Sequence, residues 1–181
     1  MPSFDTFLKK SLTGDSFTQE EMESCISLLM DGGVAQDDMA AFLSALHKRG
    51  ETADEITGAA RALRAKASAI SAPDDAVDCC GTGGDGAHSF NISTAVALVA
   101  AACGVPVAKH GNRAASSKSG AADVLEKLGV CLALPKDTLE KALNDIGFCF
   151  LMAPHHHAAM KHVAEVRKSL PHRTIFNLLG P

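Results

Sequence analysis

The 181 residues are enough for one substantial domain, or for a small domain and part of a second one. A net charge of -4 and a pI near 6.0 give no general attraction to nucleic acid, and no apolar run approaches the roughly 18 residues of a membrane span. The six cysteines lack C-x-x-C or zinc spacing, and the N-terminus lacks a secretory signal pattern, so we expect a reduced, cytoplasmic protein.

Helical spacing of apolar residues and clear helix boundaries predict a small helical domain over residues 1–72. Capping boxes at Thr18 and Thr52, each followed three residues later by Glu, begin two of its helices. Glycines stop the helices that precede them. The predicted helices span about 4–12, 18–31, 37–49 and 52–70.

Pro73 and the acidic pair after it mark a domain boundary, and from there strands and helices alternate. Residues 73–181 are therefore expected to form an α/β domain with a mainly parallel sheet. The apolar C-terminal stretch resembles the start of another element, so we expect this domain to be incomplete and the chain truncated. Strands are predicted near 76–80, 105–108, 130–133 and 148–152, and helices near 93–103, 118–128, 136–146 and 157–169.

A glycine-rich loop, residues 81–86, joins the first of these strands to a helix that begins near Ser93. Glycines let a ligand approach the backbone, and the helix N-terminus favours an anion, which together predict a phosphate site. The loop fits G-x-G-x-x-G, but basic residues stand where a dinucleotide site needs an acid. Ala87 and His88 stand where a Walker loop needs Lys and Ser or Thr.

Cations, hydroxyls and an amide are concentrated in residues 109–118, directly after the second predicted strand. Ligands bind at the carboxyl edge of parallel sheets, and such side chains neutralise and orient phosphate. A solvated charged loop is the alternative. The position of residues 109–118 beside the glycine loop favours one shared polyphosphate site instead.

Two further features could bind a ligand. His155, His156, His157 and His162 suggest zinc, but no carboxylate or cysteine stands at ligand spacing, which argues against a metal there. Arg167 shares a helix face with apolar residues. It either lays its stem over the core edge or offers a bidentate partner to a carboxylate.

Five motifs in register resemble the anthranilate phosphoribosyltransferase family. They are GTGGDG (81–86), NIST (91–94), KHGNR (109–113), ADVLEKLG (122–129) and RTIFNLLGP (173–181). The resemblance implies transfer of phosphoribose from phosphoribosyl pyrophosphate to anthranilate in tryptophan biosynthesis, with Mg²⁺ and with pyrophosphate released. It also implies a homodimer formed through the helical domain. Positioning and electrostatics, rather than a protein nucleophile, would carry such a reaction.

By matching position, the resemblance implies that Ser93 also reaches Mg²⁺. The residues that would bind phosphoribosyl pyrophosphate are Gly81, Gly84, Asp85, Ser89, Asn91, Ile92, Ser93, Thr94, Lys109, His110, Gly111, Asn112, Arg113, Ala114, Ala115, Ser116, Ser117 and Ala121. Those that would contact anthranilate are Gly81, Asn112, Arg167, His110 and His157.

The chain departs from the family at Ala121, where Ser is frequent, and it lacks the family's later Asp-Glu pair for Mg²⁺. We therefore expect this chain alone to be inactive or weak. A pyrimidine nucleoside phosphorylase is the nearest alternative, and Asp85 and Arg167 argue against it. A non-catalytic protein that binds single-stranded nucleic acid is a third reading, which the acidic net charge opposes.

Overall fold

The computed structural model describes residues 2–82, 90–114 and 119–180. Its helices are α1 Phe4–Leu12, α2 Gln19–Asp31, α3 Gln36–Arg49, α4 Ala53–Ala65, α5 Ile92–Ala102, α6 Ala121–Lys127, α7 Lys136–Ile146, α8 Ala153–His156 and α9 Lys161–Ser169. The strands are β1 Val107–Gly111 and β2 Phe148–Met152, and short 3₁₀ turns occupy Ala158–Met160 and Ile175–Asn177. Within these residues, no helix is long and apolar enough to cross a membrane.

The chain divides into two compact units, the first made of residues 1–67 and 157–179. In this helical unit, Phe42 of α3 is fully buried and packs edge-on against Phe4 and Phe17, with ring centroids 5.6 and 5.9 Å away. Edge-to-face aromatic pairs of this kind stabilise the core beyond the burial of their area. The first unit is thus a helical bundle around an aromatic core.

Helices α2 and α4 approach each other closely at Gly58. A Cβ placed on Gly58 would lie 2.2 Å from the carbonyl oxygen of Gln19 and 3.0 Å from the backbone nitrogen of Glu23. Glycine normally weakens a helix interior relative to alanine. Here it is needed because the two backbones leave no room for a side chain.

The carboxylate of Glu55 joins three segments of this unit while fully buried. It accepts the backbone N–H groups of Phe17 at 3.0 Å and Thr52 at 2.8 Å, and a guanidinium N–H of Arg49 at 2.5 Å. The bond to Thr52 completes the capping box of α4. Paired donors of this kind are what make a buried charge tolerable.

The second unit, residues 68–156 and 180–181, contains the sheet. Strand β1 pairs in parallel with β2, so that Lys109 stands opposite Phe150. On the other side of β1, Val77 forms an isolated parallel bridge with Val107. Phe150 packs with Ala122 and Leu125 of α6, while Leu139 and Leu143 of α7 pack with Cys149. The result is a small parallel sheet with helices on it, as expected for an α/β domain.

The local predictions hold for most helices but fail at three places. The segment 76–80 forms only the bridge at Val77, and 130–133 is not a strand, because Val130 donates its N–H to Leu125 at the end of α6. Helix α4 ends at Ala65 rather than near residue 70, since Ser68 instead donates its N–H to the His156 carbonyl. The predicted domain boundary near residue 73 remains a prediction.

Replacing Glu55 with Ala should lower the free energy of unfolding of the helical unit by about 3–5 kcal/mol, because Arg49 and two backbone donors lose their buried acceptor. Denaturation followed by far-UV circular dichroism measures this. The control is Glu165→Ala on α9, whose exposed carboxylate accepts from a Gln36 amide, with an expected change within about 0.5 kcal/mol. Equal losses in the two variants would contradict the role given to Glu55.

Candidate functional site

The parallel pairing brings the carboxyl ends of neighbouring segments to one edge of the sheet. Val77 lies beside Val107, which places Asp78 and Cys80 next to the end of β1. The link is direct, because Oδ1 of Asp78 accepts the backbone N–H of His110 at 3.2 Å. Residues directly before the sequence-predicted phosphate loop therefore meet the start of the second predicted loop at this edge.

Lys109 supplies a buried positive charge to the same edge, since its side chain is only 1% exposed. Burial, together with the Asp78 carboxylate, raises the pKa of the nearby Cys80 thiol to about 11, and the charge of Lys109 partly opposes this rise. A buried cation is costly without an anion to face it. Its position in β1 thus suits the binding of a negatively charged ligand.

Helix α5 begins at the same edge. The Sγ of Cys79 donates to the carbonyl of Ser93 at 3.2 Å, which ties the strand-like segment to the first turn of α5. The side-chain oxygen of Asn91 accepts from the buried Thr94 hydroxyl at 2.7 Å instead of capping the helix backbone. Among the described residues, no side chain caps this end of α5, so its backbone N–H groups can serve an anion.

The loop after β1 is held by Asp123, which the sequence analysis did not assign a role. One of its carboxylate oxygens accepts the N–H groups of Ala114 at 3.0 Å and Gly120 at 2.8 Å. These two bonds are the main reason that the pKa of Asp123 is lowered. The sequence contains a signal for this role, because Asp123 stands three residues after Gly120, the glycine that precedes α6.

Arg113 turns its guanidinium toward α6. It forms two 2.8 Å bonds to Glu126 and one of 3.1 Å to Asp123. A phosphate ligand would compete with these carboxylates for the guanidinium. In the structure Arg113 thus binds its own helix, while its assignment to phosphoribosyl pyrophosphate stays a prediction.

Two glycines allow this loop to pass close to its neighbours. A Cβ at Gly120 would lie 2.4 Å from the backbone nitrogen of Ala114 and 2.7 Å from the carbonyl oxygen of Asn112. At Gly111 it would meet the Phe150 ring at 2.9 Å and Ala121 at 3.0 Å. The loop path therefore depends on both glycines. Asn112 itself is exposed, and its side chain accepts the N–H of Arg113 at 2.8 Å.

Arg167 lies in the helical unit, half-buried on α9. Its guanidinium stands over the Phe176 ring, 5.6 Å from the centroid, and burial lowers its pKa. Its Nε is buried, and no hydrogen-bond acceptor for it is present in the described part of the chain. A planar, partly desolvated guanidinium of this kind is suited to a carboxylate.

The histidine run does not form a metal site in the described residues. His156 bonds through Nδ1 to the Ser68 carbonyl at 2.8 Å, and His162 packs against Gly32. His157 is half-buried at the start of a 3₁₀ turn. The absence of zinc at these histidines stays a prediction.

The described residues bring together Gly81, Asn91, Ile92, Ser93, Thr94, Lys109, His110, Gly111, Asn112, Arg113, Ala114 and Ala121 in one unit. Arg167 and His157 belong to the helical unit. The predicted ligands Gly84, Asp85, Ser89, Ala115, Ser116 and Ser117 lie outside the described residues.

Comparison with known proteins agrees with this architecture. Residues 73–181 match the "Glycosyl transferase family, a/b domain" and residues 5–67 match the "Glycosyl transferase family, helical bundle domain". Because the first match covers more than half of the chain, the chain belongs to this glycosyl transferase family.

Three similar proteins are all named anthranilate phosphoribosyltransferase. Anthranilate phosphoribosyltransferase of Erythrobacter litoralis is 57% identical over 91% of this chain and 50% of that protein. The crystal structure of the Thermus thermophilus enzyme matches with a TM-score of 0.91 and 48% identity over 97% of this chain and 54% of that one. The Saccharomyces cerevisiae enzyme, in complex with PRPP and Mg, matches with a TM-score of 0.87 and 32% identity over 98% and 54%. The chain thus spans about half the length of these relatives.

Asp123→Asn should speed hydrogen exchange at the amides of Ala114 and Gly120, because a neutral amide oxygen is a weaker acceptor than the carboxylate. Mass spectrometry or NMR of exchange checks this. Glu126→Gln is the matched control, since the carboxylate of Glu126 bonds to Arg113 and not to these amides, and it should leave both unchanged. Similar rates in both variants would show that Asp123 does not hold the loop.

The same bonds set a pH dependence. Because the folded-state pKa of Asp123 lies below its ordinary value of 3.8, its stabilisation is complete above that value and is lost as the pH falls through the lower one. A carbon-13 NMR titration of the carboxyl groups should show Asp123 titrating below 3.8. Titration at or above the ordinary value would contradict this.

Proposed function

We propose that this protein is an anthranilate phosphoribosyltransferase. It transfers 5-phosphoribose from phosphoribosyl pyrophosphate to the amine of anthranilate, as a step of tryptophan biosynthesis. The observation that supports this most is that the segment just before Gly81 bonds both to β1, through Asp78 and His110, and to the start of α5, through Cys79 and Ser93. Similar proteins bearing that name support the choice of substrates.

The proposed reaction breaks the bond between C1 of the ribose and the pyrophosphate oxygen, and forms a bond from C1 to the anthranilate nitrogen. The amine loses a proton and pyrophosphate leaves with the electron pair. Positive charge develops on the sugar and negative charge on the leaving group, so fixed charges and dipoles lower the barrier. The chain's contribution is to hold both partners and to stabilise the pyrophosphate.

Phosphate binding is assigned to the buried ammonium of Lys109 and to the uncapped N-terminus of α5. The charge of Lys109 acts on the Cys80 thiol at this edge, and Cys79 bonds to the Ser93 carbonyl in the first turn of α5. Thr94 is already bonded to Asn91, which fixes the first turn of α5 before the ligand arrives. The remaining assigned residues, Gly81, Gly84, Asp85, Ser89, Ile92, Ser93, His110, Gly111, Asn112, Arg113, Ala114, Ala115, Ser116, Ser117 and Ala121, keep that role as a proposal.

Magnesium fits the first turn of α5 in donor type. Ser93 is half-buried there and offers a hydroxyl oxygen, and hard oxygen ligands together with substrate phosphates are what Mg²⁺ prefers. The ion, when bound, neutralises the diphosphate. We propose that the Ser93 hydroxyl oxygen is one ligand of this ion. A solved relative in complex with PRPP and Mg supports the presence of the ion.

Anthranilate binding is assigned to Gly81, Asn112, His110, His157 and Arg167. Arg167 is the proposed partner of the anthranilate carboxylate, because its buried Nε offers a donor.

The proposal also includes a cytoplasmic location, a homodimer formed through the helical unit, and no binding of nucleic acid or membrane. The expected absence of attraction to nucleic acid rests on the net charge of -4.

Lys109→Met should weaken binding of phosphoribosyl pyrophosphate by about 10- to 100-fold, equivalent to a charge-assisted hydrogen bond of ~1.5–3 kcal/mol. Methionine keeps most of the buried volume, so the effect reports the charge. Calorimetric titration with and without Mg²⁺ measures it. Lys136→Met, at an exposed lysine of α7, serves as the control and should bind as the unmodified chain does.

Arg167→Lys should weaken binding of anthranilate about tenfold while binding of aniline, which lacks the carboxylate, stays unchanged. Lysine keeps the charge and loses the planar pair of donors. Titrations in the presence of phosphoribosyl pyrophosphate compare the two ligands, and the exposed Arg61→Lys is the control. A folded chain that binds uridine or thymidine, but not phosphoribosyl pyrophosphate, would overturn the proposed function in favour of a phosphorylase.

A further inference from the structure

Three potential metal ligands of different chemistry converge at the sheet edge. A carboxylate oxygen of Asp78, the sulfur of Cys80 and a ring nitrogen of His110 all lie within 4.8 Å of one another. Within residues 2–82, 90–114 and 119–180 it is the one such group of three or more. We propose that Asp78, Cys80 and His110 bind one zinc ion, at a site separate from the Mg²⁺ assigned to Ser93.

The fold itself assembles this group. Asp78 and Cys80 lie two residues apart, directly after the bridge residue Val77, and each brings a ligand atom to within 4.8 Å of a His110 ring nitrogen. His110 comes from the adjacent β1, and its backbone N–H donates to Oδ1 of Asp78 at 3.2 Å. The Val77–Val107 bridge, directly before Asp78, holds the two segments in parallel. The ligands are therefore brought together by backbone pairing rather than by long mobile side chains.

The ligand types select the metal. Sulfur and imidazole nitrogen are typical of zinc, whereas Mg²⁺ and Ca²⁺ require oxygen ligands. Three protein ligands leave a fourth, open position for water or another small ligand. Ligand atoms around tetrahedral zinc lie roughly 3–4 Å apart, so atoms that already lie within 4.8 Å of one another need to approach by less than about 2 Å.

Binding changes the bonding of Cys80 in a balanced way. In the structure its thiol donates to the carbonyl of Gly180 at 3.3 Å. The thiol proton is released to solvent as the sulfur binds zinc, and this hydrogen bond is lost. Zinc then links the segment before the glycine loop to β1. If the proposed function holds, zinc and phosphoribosyl pyrophosphate compete for His110, and this consequence alone rests on that function.

The test is titration of the 181-residue chain with Zn²⁺ against a chromophoric zinc chelator, with Co²⁺ as a spectroscopic substitute. We expect one ion per chain, and with Co²⁺ a sulfur-to-cobalt charge-transfer band in the near ultraviolet. Cys80→Ser should abolish the band and lower zinc affinity at least tenfold, and Asp78→Asn should lower it similarly. Circular dichroism confirms that each variant is folded.

Cys79→Ser is the matched control, because Cys79 is the adjacent thiol and donates instead to the Ser93 carbonyl. It should keep both the band and the affinity. The proposal is overturned if Cys80→Ser binds zinc as tightly as the unmodified chain, or if the affinity is lost instead in His155→Ala or in Cys79→Ser. Unchanged binding of phosphoribosyl pyrophosphate in saturating zinc would overturn the competition only, and would leave the metal site supported.

Discussion

The parallel pairing of β1 with β2, and of Val77 with Val107, is the constraint on which the site depends. In parallel strands all carboxyl ends point the same way, so whatever follows each strand is delivered to one edge. His110 and Asp78 meet there, through the His110 backbone N–H, although they are far apart in the sequence. An antiparallel pairing of the same segments would send these two side chains to opposite ends of the sheet.

Charge at this edge is arranged at two levels. Lys109 is buried and belongs to the sheet, whereas Arg113 is exposed and engaged by Glu126 and Asp123. The charge of Lys109 is in place before any ligand arrives. Arg113, in contrast, must release Glu126 and Asp123 before it can bind another anion. Affinity and loop position are therefore coupled, because an anion that draws Arg113 away also removes one of the bonds of Asp123.

Sequence reasoning predicted the helices best, because their boundaries are local. Thr18 and Thr52 form the capping boxes that their spacing indicated. The strand predicted at 130–133 is not formed, because a strand needs a neighbouring strand to pair with. Val130 instead donates its N–H to the Leu125 carbonyl of α6. The early end of α4 depends on Ser68 meeting His156, a contact that no local pattern encodes.

The candidate site shows the same division. Glycines, a basic loop and a helix start indicated an anion site from their order alone, since each has a local signature. The partners of Arg113 did not follow from sequence, because the competing carboxylates lie ten and thirteen residues away. The convergence of Cys80 with His110 was equally hidden, as the spacing of its ligands along the chain matches no zinc pattern.

The close approach of α2 and α4 at Gly58 has a consequence for how this chain tolerates change. The position carries no side chain and belongs to the helical unit, whereas the sheet edge belongs to the other unit. In a saturation mutagenesis library scored for abundance, every replacement of Gly58, alanine included, should nevertheless lower the amount of protein. The absence of an atom at this position is what lets two backbones touch, and no compensating change in a side chain can restore that space.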